Sequence, residues 1–64
     1  MNKAWLTPCE VAEYLSISKT TVYRMVDDGE LLGIKIRGSL RIKTTSLENL
    51  INEQMQIQAI KNGI

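Results

Sequence analysis

Two helix starts lie eleven residues apart in this chain, and almost nothing fits between them. In "LTPCEV", Thr7 is placed to cap a helix and Pro8 suits the first helical position. Glu10 stands three residues after the cap, and Leu6 can pack back on Val11. In "SISKTTV", Ser18 offers a second cap, with Ile17 and Val22 spaced for the same packing. Val11, Ala12 and Leu15 form the inward stripe of the first helix, and Val22, Met25 and Val26 that of the second. Asp28-Gly29 ends the second helix, because Gly takes the left-handed conformation readily. A helix over residues 19–28 has under three turns and does not hold in water alone. The first half of the chain is therefore constrained to two short helices packed on each other across a tight turn.

After "GELLG" the period changes from helical to two. Ile34, Ile36, Leu40 and Ile42 alternate with Lys35, Arg37, Arg41 and Lys43, broken at Gly38-Ser39. This reads as a β-hairpin with Gly38 as a turn residue. Opposite residues share a face, so a loop Arg37-Gly38-Ser39 would pair Ile36 with Leu40 and Ile34 with Ile42. That register keeps one side apolar and sets Lys35 opposite Arg41, a like-charge pair suited to an anion between them. A last helix is expected from "TSLENLI", with Thr45 and Glu48 as a capping box and Leu47, Leu50 and Ile51 facing inward. The stripe fades after Met55, and the tail is expected to fray. Trp5 is expected to cover the core edge against this last helix, and the lone Cys9 to pack.

Charge supplies the first functional constraint. The 64 residues carry eight Lys/Arg against seven Asp/Glu, so an electrostatic partner must meet a local patch. Between Lys19 and Lys43 there are six basic and three acidic residues, whereas the flanks set Lys3 and Lys61 against Glu10, Glu13, Glu48 and Glu53. An anionic partner would meet the middle. With no His and one Cys, the usual zinc constellations are excluded and no metal or other cofactor is expected. The absence of an acid pair at catalytic spacing, and of length for a sizeable pocket, argues against an enzyme and against a small-molecule substrate. The N-terminus lacks an apolar signal region, and nowhere do 18 apolar residues run together. The expectation is one soluble cytoplasmic domain over residues 1–64, core about 6–55, with no membrane partner.

Two helices across a three-residue turn, the second polar on its outer face, is how a helix-turn-helix places a recognition helix in the major groove. Thr20, Arg24 and Asp27 point most directly outward, flanked by Thr21, Tyr23 and Asp28. Thr20 and Thr21 suit phosphate or a thymine methyl, and Arg24 has the fork geometry for guanine. Asp27 and Asp28 confine contact to the first two turns. Tyr23 is open between packing and contact. The hairpin would be a wing on the phosphates or in the minor groove. The expected class is mostly α with a small hairpin, a winged helix-turn-helix, and the expected partner is double-stranded DNA.

These segments, "LTPCEVAEYLSISKTTVYRMVDDGEL", "RGSLRI" and "TTSLENLI", resemble the excisionase-type winged helix-turn-helix proteins of phages and integrative elements, relatives of MerR-like regulators. The resemblance covers about Leu6 to Ile51. It implies a recognition-helix role for Ser18, Lys19, Thr20, Thr21, Tyr23 and Arg24. It implies a wing role for Lys35, Arg37, Gly38, Ser39, Arg41 and Lys43, with Arg41 just before the returning strand's apolar residue. The family often has Gly in the helix-helix turn where this chain has Ser16, and its wings are often longer. The implied activity is that of a recombination directionality factor, which binds and bends DNA near an attachment site, with cooperative self-association, and assists an integrase. The alternatives are a small prophage-type transcription regulator and a protein-interaction inhibitor acting without DNA. The surface for an integrase or other protein would be the C-terminal helix, through Met55, Ile57 and Ile60.

Overall fold

The computed structural model describes residues 3–62, with side chains through residue 55. The order is β1 (Trp5–Leu6), α1 (Pro8–Leu15), α2 (Lys19–Asp27), β2 (Gly33–Ile36), β3 (Ser39–Lys43) and α3 (Thr44–Asn62). This is the expected winged helix-turn-helix, with one strand more. Trp5–Leu6 pairs antiparallel with β3, giving a three-stranded sheet of order β1-β3-β2.

The caps form as their spacing requires. Thr7 Oγ1 accepts the Glu10 N–H at 3.1 Å, and Glu10 Oε1 accepts the Thr7 N–H at 3.0 Å. Ser16 closes α1 in the left-handed region (φ 57), so that the Ile17 N–H returns to the Ala12 carbonyl at 2.9 Å. Ser18 then caps α2, accepting the Thr21 N–H at 3.2 Å. Asp28 and Gly29 (φ 82) end it, and the Glu30 and Leu31 N–H groups both reach the Met25 carbonyl. That reversal drops Leu31 into the core beside Leu6, Val11, Ala12, Val22, Ile42 and Leu47. Leu15, Ile17, Met25, Val26, Leu50 and Ile51 pack around this cluster.

Four expectations are corrected. The hairpin register is Ile36 with Ser39, Lys35 with Leu40, Ile34 with Arg41 and Gly33 with Ile42, around the two-residue turn Arg37-Gly38. Both turn residues have positive φ (52 and 80), the mirror-image turn whose twist matches the strands. Turn geometry outranked the sorting of apolar residues to one side, so Lys35 and Arg41 are not opposed. Trp5 is a strand residue opposite Lys43, whose ammonium lies 4.7 Å from the ring centroid, a cation–π contact. Cys9 is exposed, because the first turn of α1 turns Pro8 and Val11 inward. Finally, α3 begins at Thr44, one residue before the expected cap. The buried Thr44 hydroxyl donates to the Lys3 carbonyl at 2.6 Å, and its N–H reaches the Ala4 carbonyl. Ser46 Oγ donates to the Lys43 carbonyl and accepts the Leu32 N–H, which ties the start of α3 to the approach of β2. The tail expected to fray is helical through Asn62.

Candidate nucleic-acid interface

The recognition-helix candidates divide by what already occupies them. Lys19, Thr20, Tyr23 and Arg24 are exposed on α2, Tyr23 at 47%. Ser18 and Thr21 are committed to the cap, their hydroxyl oxygens 2.9 Å apart. Thr21 is half-buried, so the surface offered at this end of α2 is Lys19, Thr20 and Arg24 with the Tyr23 ring beside them. Tyr23 neither enters the core cluster nor packs against it.

Beside that surface runs a cleft of about 440 Å³ between α2 and the hairpin. Tyr23, Val26 and Asp27 form one wall, and Gly33, Lys35, Gly38 and Leu40 much of the other. Tyr23 and Asp27 follow one another at i, i+4 spacing, so this row of α2 faces the wing with Val26 beside it. Val26 comes this close because position 33 is Gly: a Cβ there would stand 3.0 Å from both Val26 Cγ1 and Leu40 Cδ1.

The pleat separates the six wing candidates. Opposite residues share a face, so Lys35 lies with Leu40, Gly33 and Ile42 on the side toward α2. Arg41, Lys43 and Ser39 lie on the other side with Ile34, Ile36 and Trp5. Arg37 and Gly38 form the tip. Arg41 is half-buried and its Nη1 donates to the Leu40 carbonyl at 2.9 Å. The structure thus brings Lys35 and Gly38 of the tip toward α2, and turns Arg41 and Lys43 away from it. Sequence alternation carried this parting, but only the correct register reveals it.

Away from the cleft, Lys3 Nζ lies 2.6 Å from Glu10 Oε2. This ammonium, together with the Thr7 N–H, holds the Glu10 carboxyl well below the usual carboxylate range, at about 2. Among the described residues no cluster of His, Cys, Asp and Glu could hold a metal ion, and no helix is long and apolar enough to cross a membrane. Of the surface proposed for a protein partner, Met55 is exposed, while the side chains of Ile57 and Ile60 lie outside the described residues.

Residues 5–55 match the family described as "Helix-turn-helix domain". The chain belongs to that family. It is 37% identical over 46 residues to "Putative DNA-binding protein MT0521" of Mycobacterium tuberculosis strain CDC 1551, and equally to "Putative DNA-binding protein Rv0500A" of strain H37Rv. Each match covers 72% of this chain, and the chain spans 59% of the length of these relatives. No solved structure matches.

Proposed function

We propose that this chain binds double-stranded DNA in a sequence-dependent way, with α2 in the major groove and the wing tip on the adjoining backbone. The observation that carries this is the placement of Lys35 on the α2 side of the wing, across a cleft from Tyr23, on a helix whose exposed start also carries Lys19, Thr20 and Arg24. Arg24 reads a base edge, and Lys19, Lys35 and Arg37 meet phosphates. The family match and the two relatives named as DNA-binding support this reading.

The recombination role is the finer part of the proposal, with a small transcription regulator as its alternative. Bending separates them. If the chain bends its site, complexes migrate differently as the site is moved along a fragment; a regulator that leaves the duplex straight shows no such dependence.

The direct test of DNA binding needs no knowledge of the target. With a mixed-sequence duplex, backbone amide shifts should cluster at residues 18–24 and 35–38 and weaken from about 50 to about 200 mM salt. The four cations Lys19, Arg24, Lys35 and Arg37 give a slope of log affinity against log salt of roughly −3 to −4. Silent amides at both segments would overturn the proposal. On a selected site, Arg24→Ala should cost about 1–3 kcal/mol and relax preference at one base pair. A uniform loss over all sequences would make Arg24 a phosphate contact.

A further inference from the structure

The strand order leaves β2 with one open edge, and the hydrogen-bond alternation fixes which groups face it. The Lys43 N–H donates to the Leu32 carbonyl at 2.8 Å. In an antiparallel pair, alternate residues bond to the neighbour, so Leu32, Ile34 and Ile36 turn their main chain to β3. Gly33 and Lys35 therefore turn theirs outward, two donors and two acceptors in a row. On the sheet face away from α2, this same strand and its approach carry Leu32, Ile34 and Ile36, exposed at 58%, 41% and 52%. An apolar edge of this kind is a pairing surface unless something blunts it, and the one charged side chain within β2, Lys35, lies on the opposite face.

We propose that this edge pairs with the same edge of a second copy, antiparallel, about a two-fold axis at Ile34. The edge is self-complementary in that register. Gly33 meets Lys35 of the second copy and Lys35 meets its Gly33, so the four outward groups of each copy all bond. Ile34 meets Ile34, and Leu32 meets Ile36, so the outer face joins aliphatic to aliphatic. On the other face each Lys35 stands across from a Gly. Moving the axis to residue 35 would oppose two lysines, a like-charge pair. Moving it to residue 33 would set Ile36 against Glu30 and leave the aliphatic row half matched.

The contact is small. Three aliphatic side chains and a four-residue edge stay well below the roughly 800 Å² per partner of a stable complex. Pairing is therefore weak in dilute solution and strengthens where two copies are held close, as on one duplex. It does not depend on the DNA reading.

Cross-linking tests the pairing without DNA. In a Cys9→Ser background, Ile34→Cys, Leu32→Cys and Tyr14→Cys are oxidised at high protein concentration in a glutathione redox mixture. Ile34 is the position that meets itself, in a pair close enough for a disulfide, so Ile34→Cys should dimerise at least about tenfold faster than the other two. Adding Lys35→Pro deletes one outward N–H and leaves the β3 ladder intact, and should bring the rate down to that of Tyr14→Cys. Adding Lys35→Ala keeps the N–H and should leave the rate unchanged. Equal rates at 34, 32 and 14, or a rate indifferent to Lys35→Pro in a chain that keeps its hairpin amide shifts, would overturn the proposal. Loss of duplex affinity in Lys35→Ala with cross-linking retained supports the pairing and bears on the DNA interface alone.

Discussion

The helix-turn-helix and the wing share one core but are held by different means. The first is fixed by side chains: Thr7, Glu10 and Ser18 close helix ends, and Val11 and Val22 are fully buried where α1 meets α2. The wing is fixed by its backbone, through a turn with two positive φ values and a ladder to β3, while Ile34 and Ile36 stay exposed. The comparison shows that α2 is posed rigidly by packing, whereas the wing is a ribbon whose shape is decoupled from most of its side chains.

The largest expected contrast comes from truncating one apolar residue in each region. Val22→Ala should lower unfolding free energy by about 2 kcal/mol, from lost burial and an unfilled space. Ile36→Ala should stay within about 0.5 kcal/mol. Urea midpoints of the two variants check this, and equal losses would break the contrast. A smaller effect comes from Ser16 and Arg37, the left-handed residues that are not Gly among the described residues. Relief of the side-chain clash outweighs the extra freedom of the unfolded chain, so Ser16→Gly and Arg37→Gly should each stabilise by roughly 0.5 kcal/mol. Only Arg37→Gly should also make the salt slope shallower, by about one. A shared change in slope would mean that position 37 acts on DNA through shape alone.

The smallest effect sharpens the contrast by pH. Glu10 has a folded-state pKa of about 2, set first by Lys3 and then by the Thr7 N–H, against an ordinary value of 4.5. A lowered folded pKa stabilises the fold above the unfolded value, and that contribution disappears as pH falls from 4.5 toward 2. Glu10→Gln should flatten this acid limb of the urea midpoint. An unchanged limb would assign the acid sensitivity to other carboxylates.

The helical half was legible because its signals are local. Thr7, Glu10, Ser18 and Gly29 each state a backbone requirement within four residues, and each is met as read. The wing was legible in kind but not in register, because polarity and turn geometry demanded different pairings and turn geometry decided. Leu31 was missed as a core residue since no periodicity surrounds it; its burial follows from the reversal after Gly29. β1 was missed because two residues carry no period, and its partner lies in β3, far along the chain. In the candidate site, the types and spacing of Lys19, Thr20, Tyr23 and Arg24 were readable, and their exposure agrees. The split of Lys35 from Arg41 and Lys43 follows from the pleat once the register is known.

The strap formed by Lys3, Ala4 and β1 has a consequence for the order of events in folding. It is anchored by the Thr44 N–H and hydroxyl and by Ile42 and Lys43, about forty positions later. Loop-closure entropy makes such a contact slow to form relative to the local caps of α1 and α2. On the ribosome, α1 and α2 can meet as soon as both have emerged, but the sheet stays open along β3 until Thr44 has cleared the exit tunnel. The β3 edge is therefore the last part of the sheet to be covered, after the helix-turn-helix has formed and the hairpin has emerged.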